Sequence, residues 1–130
     1  MSYTYNDGGK SSTSLKSNTD CGIRAMAIAC SIPYMEARQH LKTASKNGKM
    51  GSGAISDGIY KEDIGQALKE FGFMWQSAPK LSGRKARYSD LPQGRIVVRM
   101  AKHFAAVLDG ELHDSWDSSE KMVYGYWIKQ

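Results

Sequence analysis

The chain has 130 residues, 41% hydrophobic and 24% charged, the balance of one ordinary globular domain rather than of a disordered chain. No apolar run approaches the roughly 18–20 residues of a membrane span, so no membrane partner is expected, and two cysteines are too few for a disulfide framework. The net charge of +5 is spread along the sequence and no nucleic-acid-binding motif accompanies it, so nucleic acid is not expected as a partner.

Residues 1–20 contain only four hydrophobic side chains (Met1, Tyr3, Tyr5, Leu15) among Ser, Thr, Asn and Gly. Residues 1–17 are therefore read as a flexible or extended arm, and 18–130 as the single domain. From Ile23 to Cys30 every position but Arg24 is apolar or small, which predicts a buried central helix. Asn18, Thr19 and Asp20 are candidate N-caps for it. Cys21 and Cys30 lie nine residues apart on this helix, about 13 Å at ~1.5 Å per residue. A disulfide needs Cα atoms within about 7 Å, so both thiols are expected free and the compartment cytoplasmic.

Ser31-Ile32-Pro33 stops the first helix. Tyr34, Ala37, Leu41 and Ala44 recur at helical spacing, predicting an amphipathic helix over 34–45. The glycine-rich stretch 46–58 reads as a long flexible loop. Tyr60, Ile64, Ala67, Leu68 and Phe71 mark a third helix that Gly72 stops. Strands are then expected at 73–76, 96–100, 103–108, 111–116 and 122–128, with a basic loop or edge strand at 80–90 and a turn at 91–94. Asp109-Gly110 is the two-residue hairpin signal. Helices followed by an antiparallel meander make an α+β domain, helices packed on a C-terminal antiparallel sheet.

Cys21 falls in the first turn of the buried helix, where free N–H groups and the helix dipole favour a thiolate. Its own N–H is placed to meet an oxyanion on a substrate carbonyl. His103 opens a strand. With Asp109-Gly110 as the turn, paired residue numbers across the hairpin sum to 219, so His103 faces Trp116 and has Asp114 as its diagonal neighbour on the same side. A carboxylate behind an imidazole fixes its tautomer and steadies its cation, while Trp116 shields it. His113 and Asp117 point the other way, and His40 lies on a polar helix face. Cysteine, histidine and aspartate so arranged are the parts of nucleophilic acyl transfer. Cys21, Cys30, His103 and His113 lack metal-ligand spacing, and no metal or cofactor is expected.

Two stretches, Asn18-Thr19-Asp20-Cys21-Gly22-Ile23-Arg24-Ala25-Met26-Ala27-Ile28-Ala29 and His103-Phe104-Ala105-Ala106-Val107-Leu108-Asp109-Gly110-Glu111-Leu112-His113-Asp114-Ser115-Trp116-Asp117, resemble the papain-like cysteine peptidase superfamily in its compact bacteriophage and mobile-element form. Tyr124-Gly125-Tyr126-Trp127 is similar to the aromatic strand that closes such domains. The resemblance implies a papain-like fold and a thiol hydrolase with Cys21 as nucleophile, His103 as general base and acid, and Asp114 as orienter. It implies no cofactor. Gly22, Lys102 and Trp116 flank these residues and are the expected substrate contacts. The family's oxyanion donor is usually a glutamine shortly before the cysteine; here the nearest amide is Asn18. The implied substrate is a peptide, protein or other amide, with deamidation, cell-wall amide cleavage and transglutamination as variants of the same chemistry. A phage origin implies the host cytoplasm and a host or viral protein partner. The alternative is a catalytically weak papain-like module that only binds such a protein. Lys80, Arg84, Lys85 and Arg87 are read as a solvated loop which, if it walled a cleft, would prefer acidic substrates.

Overall fold

Among the residues described by the computed structural model, 2–13, 20–48 and 61–130, three helices lie on a mixed six-stranded sheet, an α+β architecture. The strands are β1 (Ser2–Tyr5), β2 (Phe73–Ser77), β3 (Arg95–Met100), β4 (His103–Leu108), β5 (Glu111–Asp114) and β6 (Val123–Lys129), in the order β1-β5-β4-β3-β6-β2. The helices are α1 (Cys21–Cys30), α2 (Tyr34–Asn47) and α3 (Lys61–Glu70). No helix among the described residues is long and apolar enough to cross a membrane.

The helical patterns fold as their spacing predicts. Residues 22–29 of α1 are all buried, and the helix ends where Ser31 turns left-handed and Ile32 bonds back to the Ala27 carbonyl. α2 buries Tyr34, Ala37, Leu41 and Ser45, so its apolar stripe ends on Ser45 while Ala44 is half-buried. α3 buries Ile64, Ala67 and Leu68 and stops at Gly72, whose φ of +84° suits glycine. Gly65 lets α3 approach the sheet: a Cβ there would lie 3.1 Å from Trp127 Nε1. The helices bury their apolar faces against Phe73, Val97, Phe104, Ala106 and Trp127 on one side of the sheet.

The expected C-terminal antiparallel meander needs two corrections. First, the N-terminal arm supplies β1, which pairs in parallel with β5, so the sheet is neither purely antiparallel nor purely C-terminal. Residues 2–5 of the arm are thus a strand of the sheet, while positions 14–17 lie outside the described residues. Second, β6 does not follow β5. Both sides of β5 are taken, by β1 and β4, so the chain crosses to the free side of β3 and pairs there from Ile96↔Ile128. Positions 49–58 of the expected 46–58 loop lie outside the described residues, while Lys46 and Asn47 complete α2.

The 80–90 stretch is a loop with one 3-10 turn, Tyr88–Asp90. It lies over the second face of the sheet, where Ala86, Tyr88 and Leu91 pack with Ile96, Val98, Met100, Val107 and Leu112. Its charges are partly committed: Arg84 forks onto Asp90 at 2.7 and 2.8 Å, and Arg87 reaches Glu120 at 2.8 Å. Both faces of the sheet are thus covered, and the ends of β4 and β5 meet the first turn of α1.

Candidate active site

The hairpin is built as the arithmetic requires. Leu108 pairs with Glu111 and Ala106 with His113, each summing to 219. Asp109 and Gly110 both have positive φ, +48° and +85°, as a tight primed turn demands. The strand expected at 111–116 ends at Asp114, because that carboxylate takes the Ser115 N–H at 2.8 Å and the chain bends away. Trp116 therefore lies beyond the ladder, yet its ring still meets the His103 ring with centroids 4.9 Å apart. At 44% exposure it is a cover over the imidazole rather than a core aromatic.

His103 and Asp114 are buried and joined at 2.6 Å through Nε2 and Oδ2. That bond leaves Nδ1 as the free ring nitrogen, and the Cys21 thiol lies close enough to His103 for each group to shift the other. The structure thus brings Cys21, His103 and Asp114 together from α1, β4 and β5. Burial alone would push the Cys21 thiol up. The His103 hydrogen bond, a bond from the Phe104 backbone N–H and the positive charges of His103 and Arg24 outweigh it, so the thiol lies below its ordinary value. Burial likewise pulls His103 down, but its bonds to Asp114 and Cys21 and their charges lift the imidazole to about 9. Both shifts run in the direction that favours thiolate and imidazolium over the neutral pair. Cys30, at the other end of α1, shows what burial does without such partners: its thiol is pushed up to about 11, only partly offset by Lys129 and Arg95. Both cysteines are free.

Asp20 is the N-cap residue of α1 by position but makes no capping bond. Its buried carboxylate is held instead by Arg24, by the Tyr34 hydroxyl at 2.6 Å and by Lys10 at 3.2 Å. The first helical bond runs from Arg24 N–H to the Asp20 carbonyl, so the N–H groups of Cys21, Gly22 and Ile23 have no partner within the helix. Gly22 is buried directly beside the thiol. Lys102 is exposed in the β3–β4 turn with a left-handed φ of +53°, next to His103. Asn18 lies outside the described residues. His40, on the face of α2 that the sequence reads as polar, meets Phe71 edge-on at 4.9 Å. His113 turns away from the site to Glu111 at 3.0 Å and Asn6 at 3.3 Å.

Four contributors escape the hairpin arithmetic. Ser118 is fully buried and donates to Asp114 Oδ2 at 2.7 Å, sharing that oxygen with His103. The Phe104 N–H supports the thiolate. Arg24 brings its guanidinium 3.8 Å from Asp114 Oδ1. The N-terminal segment backs Asp114, with Tyr3 Oη donating to its carbonyl at 3.2 Å and the Asn6 N–H at 2.8 Å. Among the described residues no cluster of His, Cys, Asp and Glu is arranged to hold a metal ion.

No protein-family model matches the chain, and neither curated proteins nor solved structures include a significant match.

Proposed function

We propose that the protein is a papain-like thiol hydrolase that cleaves an amide bond by acyl transfer through Cys21. The observation that carries this reading is a half-buried Cys21 thiol at a helix N-terminus, close enough to His103 for each to shift the other, with His103 bonded to Asp114 at 2.6 Å. A module that only bound a protein would have no need of a nucleophile, a base and an orienting carboxylate in hydrogen-bonded series at a helix N-terminus.

The chemistry follows from the protonation state. The Cys21 thiolate attacks the carbonyl carbon, forming the C–S bond, and the carbonyl oxygen becomes an oxyanion beside the Cys21 N–H. His103 donates its Nδ1 proton to the leaving nitrogen as the C–N bond breaks, giving a thioester and a free amine. Water then attacks the thioester while His103 takes its proton. The C–S bond breaks, a carboxylic acid leaves, and the thiolate–imidazolium pair is restored. Asp114 holds the ring in the tautomer that presents Nδ1, and Trp116 covers its outer face.

The test compares the two cysteines within one molecule. At pH 6 a thiol with its midpoint near 11 is only about 10⁻⁵ ionised, so iodoacetamide is expected to modify Cys21 at least tenfold faster than Cys30. Cys21→Ala and His103→Ala are expected to abolish release of amine from a peptide pool. Equal, slow labelling of the two cysteines would overturn the proposal.

A further inference from the structure

The site is backed by a row of buried charges that the catalytic reading does not use. Arg24 stands one helical turn after Cys21 and is only 7% exposed. One nitrogen pairs with Asp20 and the other lies 3.8 Å from Asp114 Oδ1. Read through space, the signs alternate: Asp20, Arg24, Asp114, His103, Cys21. An arginine almost removed from water is costly unless its charge is met, and two carboxylates brought this close would repel without a cation between them. Tyr34 and Lys10 hold the outer carboxylate from α2 and from the N-terminal segment.

We propose that Arg24 is a positioning residue for the Cys21–His103 pair, the counter-ion shared by Asp20 and Asp114 that fixes the Asp114 carboxylate behind the imidazole. The role rests on the hydrolase reading above, and it is electrostatic as well as geometric. Arg24 neutralises part of the Asp114 charge and leaves the rest for His103. Its charge, one helical turn from Cys21, also favours the ionised form of the thiol.

The other groups around the row are accounted for. From the N-terminal segment come Lys10, which pairs with Asp20, and the Tyr3 hydroxyl, which donates to the Asp114 backbone. From α2 comes Tyr34, whose phenol is held protonated by burial and by its bond to Asp20. From β5, His113 and Glu111 pair with each other on the opposite side. From the turn after β5 come Ser118, which donates to Asp114, exposed Asp117, and Lys121, whose ammonium reaches the Ala101 carbonyl at 2.8 Å. Of these cations, Arg24 is the one that reaches toward both Asp20 and Asp114.

The sign of the effect makes the role testable. Removing a positive charge makes every nearby proton harder to remove, and removing a negative charge makes it easier. In the full chain carrying Cys30→Ala, the rate of Cys21 alkylation by iodoacetamide is followed from pH 4 to 10. Arg24→Gln is expected to shift the rise of that curve upward by about one pH unit, and Arg24→Lys to restore it toward the wild-type position. Asp20→Asn, which keeps an acceptor for Tyr34 and Arg24, is expected to shift the curve downward by a smaller amount. A residue that merely stabilised the fold would lower the melting temperature and leave the curve in place. Curves for folded Arg24→Gln and Asp20→Asn that superimpose on the wild type would overturn the proposal, and Asp20→Asn decides alone if Arg24→Gln does not fold. A wild-type curve that itself rises near pH 8.5, like an ordinary thiol, would instead sink the hydrolase reading.

Discussion

Asp114 is the carboxylate on which the protonation state of the site turns. His103 sits at about 9 against an ordinary 6.5, although burial alone would lower it. The upward push comes from the Asp114 hydrogen bond, then from Cys21, then from the Asp114 charge. In Asp114→Ala the ring keeps its burial and its Cys21 neighbour but loses its main support, so its midpoint should fall toward 6.5. A midpoint that reached 6.5 would take the imidazolium fraction at pH 8 from about 0.9 to about 0.03, roughly thirtyfold, while at pH 7 the loss would be only about fourfold. Asp114→Asn keeps an acceptor for the ring but not the charge, and its loss should fall between wild type and Asp114→Ala. The effect on folding has a definite sign. A histidine raised in the folded state contributes stability that is full below pH 6.5 and is lost as pH climbs through 9. The stability gap between wild type and Asp114→Ala should therefore be widest near pH 6 and narrow steadily up to pH 9. The assay is a proton NMR titration of the His103 ring, with urea unfolding at pH 6 and pH 9 alongside. A His103 midpoint that stays near 9 in both variants would refute the reasoning.

Two further substitutions probe what supports this carboxylate and the arm that backs it. Ser118→Ala removes a fully buried donor at 2.7 Å from a charged oxygen; a loss of about 1.5–3 kcal/mol is expected by urea unfolding, with the His103 midpoint rising because Oδ2 is left to the ring. A loss under about 0.5 kcal/mol would mean that Ser118 adds little to the hold on Asp114. Gly8 packs its bare Cα on α1 at φ +68°, where a Cβ would lie 3.1 and 3.2 Å from the Arg24 carbonyl oxygen and Cα. Gly8→Ala should cost about 1–2 kcal/mol from the left-handed backbone and the contact together, and an unchanged melting temperature would show that the arm is not held there.

The elements read most easily from the sequence are those in which a local period coincides with burial. α1 is apolar on nearly every side and lies at the centre, packed on the sheet chiefly through β4 and against α2. The β4–β5 hairpin is legible for a second reason: a two-residue turn leaves no freedom in register, so the pairing of Leu108 with Glu111 dictates every later pair. What the sequence does not display is the choice of neighbour between distant strands. Ser2–Tyr5 and Val123–Lys129 each carry the alternation of a strand, but alternation is silent about which edge is open. β1 takes the outer side of β5 and β6 the outer side of β3, and both choices are settled by which backbone edges remain unpaired.

The same distinction divides the site. His103, Asp114 and Trp116 belong to one hairpin, so counting from Asp109-Gly110 suffices to bring them together. Their meeting with Cys21 depends on how α1 crosses the sheet, which counting does not give. Ser118 and Tyr34 come from a bend and from another helix, and nothing local ties either to Asp114 or Asp20. Arg24 is different, because the signal was present in the run itself. A single arginine among apolar residues on a helix buried all round must meet an anion. On its own helix the acidic residue one turn away is Asp20, at i−4, beside the nucleophile. A lone charge within an apolar helical run therefore points to its partner by spacing alone, and here the partner leads to the thiol.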